Sequence, residues 1–135
     1  MLRVTSSGCI VLLLALVGCT KPQDYYDVFR EQRATYQELT DILATIQDEK
    51  SMAEAKSKLA ERFEKFDAIA RKADALPKPP PREVLQRLEE DSPGMQRTID
   101  RVREEVKRVR SLPGGKAFFK QFESQHFGLL TAVQP

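Results

Sequence analysis

The sequence predicts an all-α fold: an antiparallel three-helix bundle carrying a short fourth helix at its C-terminus. Three observations lead there. Apolar residues recur at spacings of three and four through three successive segments. Capping and proline signals punctuate those segments and leave only short connections between them. No stretch alternates apolar with polar positions on β-branched residues, as a strand would. The chain has 135 residues, 41% hydrophobic and 31% charged, which suits one domain with its own core and is short for two.

The N-terminus is a separate element. Arg3 supplies a weak positive start, Ser6, Ser7 and Gly8 follow, and an apolar run continues unbroken from Cys9 to Val17. A bilayer-spanning helix needs ~20 residues, so the run has the length of a signal-peptide core. A core helix of similar length would show a polar residue every few positions. The run closes on Leu16-Val17-Gly18-Cys19, which resembles the lipobox of bacterial lipoproteins. The resemblance implies that residues 1–18 are a signal peptide cut off before Cys19. It also implies that the Cys19 thiol is alkylated with diacylglycerol and that the new amino terminus is acylated. The residue types agree with that chemistry, since small Gly18 admits a peptidase and a thiolate is the nucleophile that lipid transfer needs. Ordinary signal cleavage at the same bond would place bulky Leu16 where a small residue is required. Cys9 would leave with the signal and Cys19 would be capped, so no disulfide is expected in the mature domain. Residues 19–23 would form the lipidated cysteine and a tether, and the four residues Thr20-Lys21-Pro22-Gln23 reach only ~13 Å when extended. Thr20 behind the cysteine, rather than an aspartate, implies by the same resemblance export to the outer membrane facing the periplasm, if the cell has two membranes.

The helical domain is expected over residues 24–131. In its first segment Tyr25, Phe29, Tyr36, Leu39, Leu43 and Ile46 make one stripe on a helix of about 24 residues. Asp24 is the expected N-cap, and Asp27 lies in the first turn, where the helix dipole favours acids. The second segment opens on Ser51-Met52-Ala53-Glu54, a capping-box pattern. Its apolar face is Met52, Ala55, Leu59, Phe63, Phe66, Ile69, Ala73 and Leu76, and Pro77, Pro79, Pro80 and Pro81 end it. In the third segment Leu85, Leu88, Met95, Ile99, Val102, Val106 and Val109 keep one heptad phase across Pro93-Gly94. A shared register favours a kinked but continuous helix; Ser92 capping a new helix with Pro93 at its first position is the alternative. Leu112-Pro113-Gly114-Gly115 ends that helix, and a short fourth helix is expected from Lys116 to about Ser124. Its phenylalanines, Phe118, Phe119 and Phe122, with Phe127 beyond them, would either cap the open end of the bundle or dock a partner.

Chemistry is sparse. The formal charge is +2, and loss of Arg3 with the signal brings the mature chain close to neutrality, which gives no field for nucleic acid. His126 has only Glu123 at helical spacing, so no metal site or cofactor is expected. Pro113-Gly114-Gly115-Lys116 lacks the spacing and preceding strand of a phosphate loop. Acidic pairs such as Glu89-Glu90 and Glu104-Glu105 suit solvated faces better than a glycosidase cleft. The basic cluster Arg97, Arg101, Arg103, Lys107, Arg108 and Arg110 is interleaved with Asp100, Glu104 and Glu105. It reads first as a salt-bridged face, with Glu104 four residues before Arg108, and second as a contact for anionic head groups or cell-wall polymer. The mature part is similar to small secreted bacterial helical domains of unassigned function, and no site residue carries over from that similarity. The expectation is a monomeric, non-enzymatic envelope lipoprotein, held to the membrane through Cys19, that presents a helical face to an envelope protein or the cell wall. An accessory envelope enzyme or inhibitor without a sequence signature is the alternative.

Overall fold

The computed structural model describes residues 20–122. α1 spans Pro22–Ala44, α2 Glu49–Ala75 and α3 Arg82–Ser111. A fourth helix, α4, occupies 115–122 up to the last described residue. The predicted signal peptide, Cys19, His126 and Phe127 lie outside the described residues.

α1 starts at Pro22, two residues before Asp24. Proline costs nothing at a first helical position, where the missing N–H has no partner in any case. Asp24 therefore sits at the third position instead of capping, and its carboxylate accepts from the Lys21 N–H at 2.9 Å. The predicted four-residue tether shrinks accordingly, and only Thr20 and Lys21 stand between Cys19 and the helix. α2 also starts early. Its N-cap is Asp48, not Ser51: Asp48 Oδ1 accepts from the Ser51 N–H at 2.8 Å, while the Ser51 hydroxyl accepts from the Asp48 N–H at 3.0 Å. Ser51 takes part in a capping box, but as its returning arm.

α3 runs unbroken through Pro93, so the continuous-helix reading holds. Its buried stripe keeps Met95, Val102, Val106 and Val109 of the heptad series but departs from the rest. Val84, Met95, Thr98, Val102, Val106 and Val109 are buried, whereas Leu85 is 41% exposed and Ile99 only half-buried. The cause is the helical period. A straight α-helix turns ~100° per residue, so a strict seven-residue repeat drifts by ~20° per heptad unless the helix supercoils. Followed back from Val109, that drift moves the buried position from Leu85 to Val84 and from Ile99 to Thr98. The Thr98 hydroxyl, brought inside by the drift, donates to the Gly94 carbonyl at 3.0 Å. Buried Thr35 on α1 does the same to Glu31 at 2.7 Å, so neither hydroxyl is left unpaired.

α1 is the middle element. It packs against both α2 and α3, while among the described residues no Cα of α2 comes within 8 Å of one in α3. The antiparallel register with α2 is marked by ion pairs: Glu31 with Lys72 at 2.7 Å, and Glu38 with Lys65 and Arg62, each at 3.1 Å. Stepping seven residues up α1 steps seven down α2. Such half-exposed pairs contribute ~0–1 kcal/mol each, so they select register more than they stabilise.

Because α2 and α3 lean apart over α1, something must fill the gap, and at one end α4 does. Gly114 adopts φ +76°, a left-handed conformation that glycine takes without strain. At Gly115 a Cβ would lie 1.9 Å from the Val109 carbonyl oxygen, so only glycine lets α4 fold back this closely. Phe118, Phe119 and Phe122 are thereby buried, Phe119 to 1% exposure. They join Leu39, Leu43 and Ile46 of the α1 end, Met52 to Phe66 of α2 and Val102, Val106 and Val109 of α3 in one contiguous core. Phe122 lies 5.3 Å from Phe63 and 5.5 Å from Phe118, ring to ring. The capping role expected of these three phenylalanines is what the structure has.

Candidate functional site

At the opposite end the same gap is open. There α1 begins, α2 ends in the proline connector and α3 begins. Tyr25, Val28, Phe29 and Gln32 of α1 form the floor of a groove of about 210 Å³, with Ala73, Leu76 and Pro77 on one wall and Leu88 of α3 on the other. The lining is almost wholly apolar. The Tyr25 hydroxyl donates to the Pro77 carbonyl at 2.6 Å, which pins the start of α1 to the connector and fixes the shape of the groove. Phe29, Ala73, Leu76 and Leu88, all expected in the core, remain half-buried here. None of the residues that line the groove belongs to the contiguous core.

Across Phe29 a smaller, polar recess of about 80 Å³ is lined by Gln23, Tyr26, Arg30, Arg87 and Asp91. The Arg87 guanidinium lies over the Tyr26 ring, 4.8 Å from its centroid. Gln23 and Arg30 both hydrogen-bond Asp27, and these contacts, Gln23 first, hold its carboxyl below the usual range.

The basic cluster divides. Arg108 faces inward: its guanidinium donates to the Leu43 and Ile46 carbonyls at 2.8 Å each and pairs with Glu105, also at 2.8 Å. The predicted partner, Glu104, is exposed and is not the one used. At i+3 Glu105 lies on the same side as the α1 end that the guanidinium must reach. Arg103 pairs with Asp100 at 3.1 Å, and Arg110 lies 5.6 Å from the centroid of the Phe119 ring. Arg97, Arg101 and Lys107 are left on the exposed face. On α1, burial raises the Tyr36 phenol above its ordinary range, so it stays neutral while its ring packs 4.6 Å from Phe66.

Among the described residues no three His, Cys, Asp or Glu side chains are grouped to hold a metal ion, and no helix is long and apolar enough to cross a membrane. Sequence reasoning missed the groove because it assigned every apolar stripe to the core. One signal was available: the stripes run to both ends of the bundle, whereas the Phe-rich segment that could cover them follows only the last helix. No family model, curated protein or solved structure matches the chain.

Proposed function

We propose that the protein is a bacterial envelope lipoprotein, anchored through lipid on Cys19, whose helical bundle serves as a non-enzymatic interaction or structural module. The observation that carries this reading is Leu16-Val17-Gly18-Cys19 at the close of the apolar run from Cys9 to Val17. In this reading the Cys19 thiolate displaces the phosphate-bearing head group of a glycerophospholipid, forming a thioether to its diacylglycerol, and water then cuts the Gly18–Cys19 bond. Two or three acyl chains, at ~0.8 kcal/mol per buried CH₂, exceed what stable anchoring requires. The early start of α1 supports a close fit to the membrane. With Thr20 and Lys21 as the only spacer, an extended tether reaches ~7 Å, and the end of the bundle bearing the groove lies next to the bilayer. The exposed Arg97, Arg101 and Lys107 of α3 are available to an envelope protein or to cell-wall polymer. In a cell with two membranes, Thr20 after the cysteine favours the outer one, facing the periplasm.

The test is metabolic labelling with a fatty-acid analogue in bacteria expressing the full chain. The native protein is expected to take up label and fractionate with membranes, and Cys19→Ser is expected to lose label and retain residues 1–18. Labelled, membrane-bound Cys19→Ser protein refutes the reading.

A further inference from the structure

The open groove at the Tyr25 end has the composition of a hydrocarbon site and lies at the one place where hydrocarbon would be covalently delivered. We infer that it holds one acyl chain of the lipid carried on this chain's own Cys19, an inference that rests on the lipoprotein reading above. Two observations support it independently of each other.

The first is the way the same gap is closed elsewhere. α2 and α3 both lean on α1 without approaching one another, and the distal part of the gap is filled by Phe118, Phe119 and Phe122. The proximal part has no such filler among the described residues, and its lining is mainly apolar, with Gln32 and Lys78 as its polar members: Val28, Phe29, Leu76 and Leu88 are left half-covered there. A long, featureless apolar occupant suits it best, since a polar one would meet few partners beyond Gln32 and Lys78.

The second is reach. α1 starts at Pro22, so Cys19 stands ~10 Å or less from the first turn. Tyr25 and Phe29 follow one and two turns along the helix, at ~5.4 Å per turn. A chain fixed to Cys19 therefore enters the groove from its open end without any change in the bundle. The groove, of about 210 Å³, has room for part of one acyl chain. Leaving the bilayer gives up apolar burial that the groove restores in part, and seating the chain also removes the apolar groove walls from water. Intramolecular attachment makes the effective concentration millimolar or higher, so the site needs no measurable affinity for free lipid. The consequence is a bundle held in one orientation on the membrane rather than swinging on a flexible leash.

The experiment feeds a photoreactive, diazirine-bearing fatty acid to cells expressing the full chain, irradiates isolated membranes and maps the adducts by mass spectrometry. Adducts are expected on the segments bearing Leu76 and Leu88, joined through lipid to the Cys19 peptide. Leu88→Glu is expected to cut those adducts at least fivefold while leaving label on Cys19 unchanged. Val28→Ser, a milder change, is expected to act in the same direction should the first variant fold poorly. Label on Cys19 with no adducts at Leu76 or Leu88 overturns the inference and leaves the lipoprotein reading standing. Adducts there from membrane phospholipid alone, unlinked to Cys19, overturn it as well. Absence of any label from the protein removes the lipoprotein reading itself.

Discussion

Arg108 shows how one side chain can close a helix that its own sequence leaves open. α1 has no basic residue in its last turn, so its terminal carbonyls lack the cation that the helix dipole favours. Arg108 supplies it from α3 across more than sixty positions of sequence, with one nitrogen on Leu43 O and another on Ile46 O. Arg108→Met removes both bonds and strands a half-buried Glu105, and is expected to cost about 1–2 kcal/mol in urea unfolding, since a partly exposed charge-assisted network lies at the low end of its range. Arg108→Lys should recover only part of this, because a point charge cannot span two carbonyls. Asp48 is the second residue of this kind. The Ser51 N–H and hydroxyl lower its carboxyl pKa, so its contribution is complete above its unfolded value and fades as pH falls through the folded one. Stability should therefore decline from about pH 4 downward, and Asp48→Asn, which keeps an acceptor without the charge, should flatten that decline when urea midpoints are compared at pH 7 and pH 3. An unchanged acid slope would place the effect on other carboxyls, Asp27 among them.

At the level of elements, α4 is the piece whose removal matters most. Phe122→Ala leaves a void against Phe63 and Phe118, and a loss of ~3–5 kcal/mol is expected from a domain total of ~5–15 kcal/mol, read as a sharp fall in the urea midpoint. A midpoint that barely moves would mean that α4 is not a core element. Its existence was legible in the sequence: a proline-glycine turn followed by phenylalanines at helical spacing reads as a returning helix. The three long helices were legible too, because periodicity survives any tertiary arrangement. What escaped was finer. The N-caps lie three residues earlier than expected, at Lys21 rather than Asp24 and at Asp48 rather than Ser51, since several side chains near each start are capable of capping and only geometry chooses among them. A heptad template places Leu85 and Ile99 inside, whereas the buried positions of α3 follow the ~3.6-residue period of a straight helix. The groove escaped for a different reason: Phe29, Leu76 and Leu88 look like core in one dimension, and only the separation of α2 from α3 exposes them.

The whole molecule is asymmetric from end to end. Its contiguous core gathers the ends of α1 and α3, the first half of α2 and the three phenylalanines of α4, whereas Tyr25, Ile69 and Val84 are buried outside that cluster at the other end. Pro93 interrupts the backbone ladder of α3 between the two regions, since proline has no N–H to donate. Local stability in a folded chain follows buried contact and need not be uniform, so the molecule has a natural line of partial opening there. Native-state hydrogen exchange should resolve it: amides of α3 before Pro93 are expected to exchange through a sub-global opening, at lower free energy than those from Val102 to Val109, which should wait for global unfolding. Equal protection along all of α3 would refute a two-part molecule. Where the two parts are real, the weaker one is the end where α1 begins, and under the proposed lipid anchoring any hydrocarbon seated in its groove acts as a removable keystone: a protein carrying it unfolds as one unit, and one stripped of it frays first from that end.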